Sequence, residues 1–167
     1  MKWIVEHQKA TAKYSYIIGE EFNLSNEELS NLYIAAQLHD IGKSKIPSNI
    51  LLKKDKLDNR EMETIKHHVK YGAYILKRNN YNKKICDAVL YHHERVDGKG
   101  YLGIEDKDIN ILSKIIAIAD AYDCMISERP YHRPKTKEEA LNEIYINLGS
   151  QFDATLGKIF IKLMKKN

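Results

Sequence analysis

Apolar residues recur at three- and four-residue intervals over most of the chain, the period of an α-helix with one buried face. Leu32, Ala35 and Ala36 trace one such stripe, and Ile115 to Ala119 form another that is apolar nearly all round. Start signals punctuate the pattern: Ser25 with Glu28, Asp58 with Glu61 and Thr136 with Glu139 have capping-box spacing, in which each residue satisfies a backbone N–H of the other. The periodicity predicts helices over residues 2–22, 26–40, 59–78, 83–93, 108–126, 137–148 and 153–164. This is an all-α class, a bundle of about seven or more helices. Two connectors depart from the pattern, 42–58 with its Ile46-Pro47, and 97–101, which reads Asp-Gly-Lys-Gly-Tyr. Both follow histidine-bearing segments, and loops on a rigid scaffold are where functional groups tend to sit.

A length of 167 residues is that of a single domain, 1–167, with a sizeable core. With 43% apolar and 30% charged residues and few Gly or Pro, disordered and collagen-like classes are excluded. The longest apolar run, Ile115 to Ala119, ends at Asp120 and falls far short of the roughly 18 residues that span a bilayer, so no membrane span is expected. Charge and histidine interrupt the first seven residues before a signal core can form, which points to the cytoplasm. Cys86 and Cys124 lack CxxC spacing and read as single buried thiols of a reducing compartment. The net charge of +4 is spread in pairs such as Lys53-Lys54. That is too mild for polymeric nucleic acid and compatible with a small anionic ligand.

His39 continues the Leu32, Ala35, Ala36 stripe and is expected to point inward just before Gly42 ends its helix. A lone core histidine is most often satisfied by one hydrogen bond, but Asp40 follows at once and shifts the reading toward chemistry. Asp120 lies within the apolar helix, where an unpaired carboxylate is costly. Its partner is an arginine or a metal, and the supply of His68, His92 and His93 favours the metal. Adjacent helical residues point about 100° apart, so the doublets His39-Asp40 and His92-His93 are expected to serve two neighbouring ions rather than chelate one. Imidazole and carboxylate without thiolate favour iron, manganese, zinc or nickel over magnesium or calcium. Two ions about 3.5 to 4 Å apart are a recurring solution for phosphoester hydrolysis. Lys43, three residues after Asp40, is placed to meet a phosphate, against the simpler reading of a solvated loop lysine.

The ordered string His7, then His39-Asp40-Ile41-Gly42-Lys43 with Ile46-Pro47, then His68 four before Gly72, then His92-His93-Glu94-Arg95-Val96-Asp97-Gly98-Lys99-Gly100-Tyr101, then Asp120, resembles the HD-GYP family. That family is a subgroup of the HD-domain metal-dependent phosphohydrolases, and the match runs from His7 to Phe152-Asp153. The resemblance implies an all-helical HD-domain bundle that hydrolyses cyclic di-GMP to pGpG and onward to GMP, with other cyclic dinucleotides as substrates of related members. It implies His7, His39, Asp40, His68, His92, His93 and Asp120 as metal ligands, with Asp40 bridging the ions. His67 is left out by its spacing to Gly72. Asp40 and Lys43 carry the catalysis in this reading, and Lys43, Tyr101 and Arg129 contact the substrate. His132 stands where Lys or Arg is usual and makes its phosphate contact pH-dependent. Asp123, one turn beyond Asp120, is expected to hold a ligand in place.

Three departures refine the picture. Leu102 replaces the proline of the Gly-Tyr-Pro signature, which is expected to loosen that loop. Trp3 stands where three-metal members carry a glutamate, so two divalent transition metal ions are expected, iron or manganese first, with zinc or nickel as alternatives. Members usually carry a sensory or receiver domain upstream, so the chain reads as a stand-alone domain or one whose regulatory partner has been removed. The competing functions are hydrolysis of another cyclic dinucleotide or nucleotide, and a weakly catalytic signalling module that binds a diguanylate cyclase through the GYP-like loop.

Overall fold

The computed structural model describes residues 2–128 and 133–166, with side chains from Val5 onward. Its α-helices are α1 (Lys2–Glu21), α2 (Asn26–Leu38), α3 (Ser48–Leu51), α4 (Asn59–Lys66), α5 (His68–Arg78), α6 (Lys83–Tyr91), α7 (Ile111–Ile126), α8 (Lys137–Ile146) and α9 (Ala154–Lys166), with short 3-10 turns at Ile41–Lys45 and Asp106–Asp108. No β-strand occurs among the described residues. The architecture is the expected all-α bundle.

The nearly all-apolar segment becomes the axis of the bundle. Ile115, Ile116, Ile118 and Ala119 of α7 are fully buried, and α7 packs against α1, α2, α6, α8 and α9. Tyr14, Tyr122 and Phe160 meet edge to face, with Tyr122 and Phe160 centroids 4.9 Å apart, and tie α1, α7 and α9 together. All three anticipated capping boxes form, at Ser25, Asp58 and Thr136.

The differences concern helix ends, and histidines stand at three of them. The helix expected over 59–78 is two helices, broken at His67, where the Ile65 carbonyl that would continue the ladder accepts from the His68 ring. Likewise α2 stops at Leu38 and α6 at Tyr91, short of the expected 40 and 93. The 42–58 connector is also more ordered than a loop, containing the 3-10 turn and α3. Gly42 does not end a helix by adopting a left-handed conformation, since it is absent from the positive-φ residues. It lies inside the 3-10 turn, pressed on α5: a Cβ there would fall 1.9 Å from the His68 carbonyl oxygen and 2.5 Å from the Gly72 nitrogen. Only a residue without a side chain fits that crossing.

Candidate metal centre

Three helix ends aim imidazoles at one point. His39, His68 and His92 each place Nδ1 2.7 to 2.8 Å from the carbonyl three residues back, on Ala36, Ile65 and Val89. A carbonyl can only accept, so Nδ1 carries a proton in each ring and Nε2 turns inward, where a neutral ring offers a lone pair. His7 arrives from α1 with Nδ1 2.6 Å from Asp123 Oδ2 and Nε2 3.1 Å from Asp120 Oδ1. Asp123 therefore fixes the His7 ring, as its place one turn beyond Asp120 led us to expect. His67 is exposed and bonds its own helix at Glu63, away from the cluster.

All seven anticipated residues converge, in two groups. Asp40, His68, His92 and His93 form one and His7, His39 and Asp120 the other, with the donor atoms of each group within 4.8 Å of one another. Asp40 stands between them: Oδ1 lies 3.5 Å from His68 Nε2, while Oδ2 lies 3.5 Å from His39 Nε2 and 3.9 Å from His7 Nε2. The His39-Asp40 doublet thus divides between the groups, but His92-His93 does not. Their rings lie 4.1 Å apart in the same group, although both doublets stand just past the end of their helix, α2 at Leu38 and α6 at Tyr91.

The cluster suits a metal. His39 Nε2 and Asp40 Oδ1 are buried without a hydrogen-bond partner, a costly condition for polar atoms that a cation between them relieves. Imidazole nitrogens with carboxylate oxygens are the donor set of a transition metal. Burial would raise the Asp40 and Asp120 carboxyls, yet His39 and Lys43 beside Asp40, and His7 and His39 beside Asp120, hold both well below the usual carboxylate range. Burial opposes the charged form of His7, but the bonds to Asp120 and Asp123 raise it to about 9. Burial pushes His93 down to about 4 and lowers His68 and His92 as well, so those three rings are neutral at pH 7.

If Asp123 sets the His7 ring, Asp123→Ala is expected to weaken metal binding at the His7 group by roughly 10- to 100-fold. Competition with a chelator reads this directly, and unchanged affinity would show that the ring needs no such support.

Lys43 Nζ lies 2.6 Å from Asp40 Oδ2 at the rim. Tyr101 lies over His93, ring centroids 4.6 Å apart, with Lys66 Nζ 5.7 Å from the Tyr101 centroid. His93, Tyr101, Asp120, Arg95 and Lys99 line a cavity of about 330 Å³ beside the cluster. Arg129 and His132 lie outside the described residues, as does the side chain of Trp3. Two neighbours were not anticipated. Cys124 is only half-buried, not the buried thiol without a role that its spacing predicts, and its Sγ donates to Asp120 Oδ1 at 3.3 Å. Its place one turn after Asp120 was the available signal. Glu94 is buried beneath the Tyr101 loop and accepts from the Leu102 and Ile104 N–H groups.

The profile of the HD domain family matches residues 1–156. A cyclic di-GMP phosphodiesterase from Thermotoga maritima is 39% identical over 163 residues, 96% of this chain and 44% of that protein. A 3'3'-cGAMP-specific phosphodiesterase from Vibrio cholerae is 33% identical over 159 residues, 93% of this chain and 30% of that protein. The chain thus spans less than half the length of these relatives. Among solved structures, Bd1817, a HDG"Y"P protein from Bdellovibrio bacteriovorus, superposes with a TM-score of 0.80 at 20% identity, covering 97% of this chain and 52% of that one. The profile match, the shared bundle and the motif order bear out the HD-GYP resemblance, and the chain belongs to the HD-domain family.

Proposed function

We propose that residues 1–167 form a metal-dependent phosphodiesterase unit that hydrolyses cyclic di-GMP to pGpG and onward to GMP. The observation that carries this reading is Asp40, whose two oxygens face two separate groups of inward-turned ligands beside a cavity. The name of the Thermotoga relative supports the substrate. We assign His7, His39 and Asp120 to one ion and His68, His92 and His93 to a second, with Asp40 shared and iron or manganese as the metals. Bound there, a pair of divalent ions supplies Lewis acidity to water and to a phosphate oxygen.

The chain's own residues do the rest. Lys43, held at the rim by Asp40, offsets the negative charge that grows on phosphorus-bound oxygens. Tyr101 presents an aromatic face to a nucleotide base at the cavity wall. Arg129 and His132 are proposed to contact phosphate as well. The unit works in the cytoplasm, with a diguanylate cyclase or an upstream sensory or receiver domain as partner.

Because His7 holds a proton up to about pH 9, metal uptake at pH 7 must displace it. Metal binding is therefore expected to release protons at pH 7 and to strengthen as pH rises from 7 to 9. Calorimetry in buffers of different ionisation enthalpy measures this, and heats independent of buffer would contradict it. Turnover compared on cyclic di-GMP, 3'3'-cGAMP and cyclic di-AMP tests the substrate. Preference for cyclic di-GMP supports the assignment, and an equal or faster rate on another of the three overturns it.

A further inference from the structure

Tyr101 reaches the site on a loop whose order has an unusual source. Glu94, directly after the last two histidines, is 5% exposed. Among the described residues its carboxylate bonds are to two backbone donors, Leu102 N–H at 2.7 Å on Oε1 and Ile104 N–H at 3.1 Å on Oε2. Gly100 is pressed on the same residue: a Cβ there would lie 2.5 Å from Glu94 Cα and 2.7 Å from Oε2. Between these contacts the chain carries Tyr101, whose ring lies 4.6 Å from His93 and 6.3 Å from His68. The loop closes around this buried carboxylate and a longer bond from Tyr101 N–H to the His93 carbonyl at 3.4 Å, and charge-assisted bonds such as those to Glu94 are the strong ones.

The Gly-Tyr-Pro signature has proline where this chain has Leu102, and proline has no N–H to give. The shorter of the two bonds to Glu94 therefore exists because of the departure from the signature. We infer that Glu94 is a positioning residue for the substrate site: through the Leu102 and Ile104 N–H groups it holds Tyr101 against His93, and Leu102 supplies by hydrogen bond the order that a proline ring supplies by constraint. The expected loosening of the loop by Leu102 is offset in this way. The kinetic consequence rests on the phosphodiesterase reading; the hydrogen-bonding device does not.

Two readouts on the full chain separate these. Amide hydrogen exchange is followed at Leu102 and Ile104 in wild type, Glu94→Ala, Glu94→Gln and Leu102→Ala, and KM and kcat for cyclic di-GMP are measured on the same metal-loaded proteins. Glu94→Ala is expected to speed exchange at both amides by roughly tenfold or more. Glu94→Gln, a variant of nearly the same shape, offers one acceptor for two donors and is expected to leave one of the two amides protected. Leu102→Ala keeps the N–H and is expected to retain both. In kinetics, Glu94→Ala is expected to raise KM about tenfold with a smaller change in kcat, the pattern of lost binding rather than lost chemistry. Wild-type protection in Glu94→Ala and Glu94→Gln, or loosening by Leu102→Ala equal to that of Glu94→Ala, would overturn the inference. If no variant or wild type turns over cyclic di-GMP, the substrate assignment fails and the exchange data still decide the role of Glu94.

Discussion

Asp40→Ala is expected to remove both metal ions and to lower turnover roughly a thousandfold or more. The size of the effect follows from the two faces of one carboxylate. Oδ1 is turned to His68 in its own group, and Oδ2 to His39 and His7 in the other, so this one substitution takes an oxygen from both sides. A His7→Ala protein removes a ligand from one group only and should retain one ion. Metal content per chain distinguishes the two cases, two ions in wild type, one in His7→Ala and none in Asp40→Ala. Two ions retained in Asp40→Ala would show that the groups do not depend on a shared carboxylate. The substitution also strips Lys43 of its 2.6 Å partner, so the loss of turnover includes the loss of an ordered cation at the rim.

Gly42→Ala is expected to be the most damaging substitution outside the ligands. Its Cβ would meet backbone, the His68 carbonyl oxygen at 1.9 Å and the Gly72 nitrogen at 2.5 Å, and backbone cannot rotate away as a side chain can. The turn bearing Asp40 and Lys43 must then lift from α5. We expect a destabilisation of about 3 kcal/mol, equivalent to a fall in Tm of roughly 6–12 °C for a chain of this size. Because the same movement separates Asp40 from His68, metal affinity falls as well. Thermal melts with and without metal measure both effects; a protein with unchanged Tm and full metal content would show that the crossing is looser than its geometry.

The histidine and aspartate cluster was legible in the sequence because its chemistry is written in short strings. His39-Asp40 ends an apolar stripe, and Asp120 interrupts an apolar helix that cannot tolerate it unpaired. The helices themselves were equally plain where capping boxes opened them, as at Ser25 and Thr136. What stayed hidden depends on where side chains turn in three dimensions. A histidine that bonds the carbonyl three residues back ends its helix, but periodicity reads His67 and His68 as two more helical positions. The two doublets stand at equivalent places, just past Leu38 and Tyr91, yet His39-Asp40 divides between the groups and His92-His93 does not, a difference that helical offset does not foretell. Gly42 and Glu94 were visible as letters of a motif. Their reasons, a backbone crossing and a pair of N–H groups eight and ten residues later, arise only when the loop closes.

Hydrolysis of cyclic di-GMP is decisive when protein prepared without oxygen and loaded separately with Fe(II) or Mn(II) is followed by chromatography beside Asp40→Ala. The loaded wild type is expected to release pGpG or GMP and the variant neither. No product from a wild type that holds two ions per chain would contradict it.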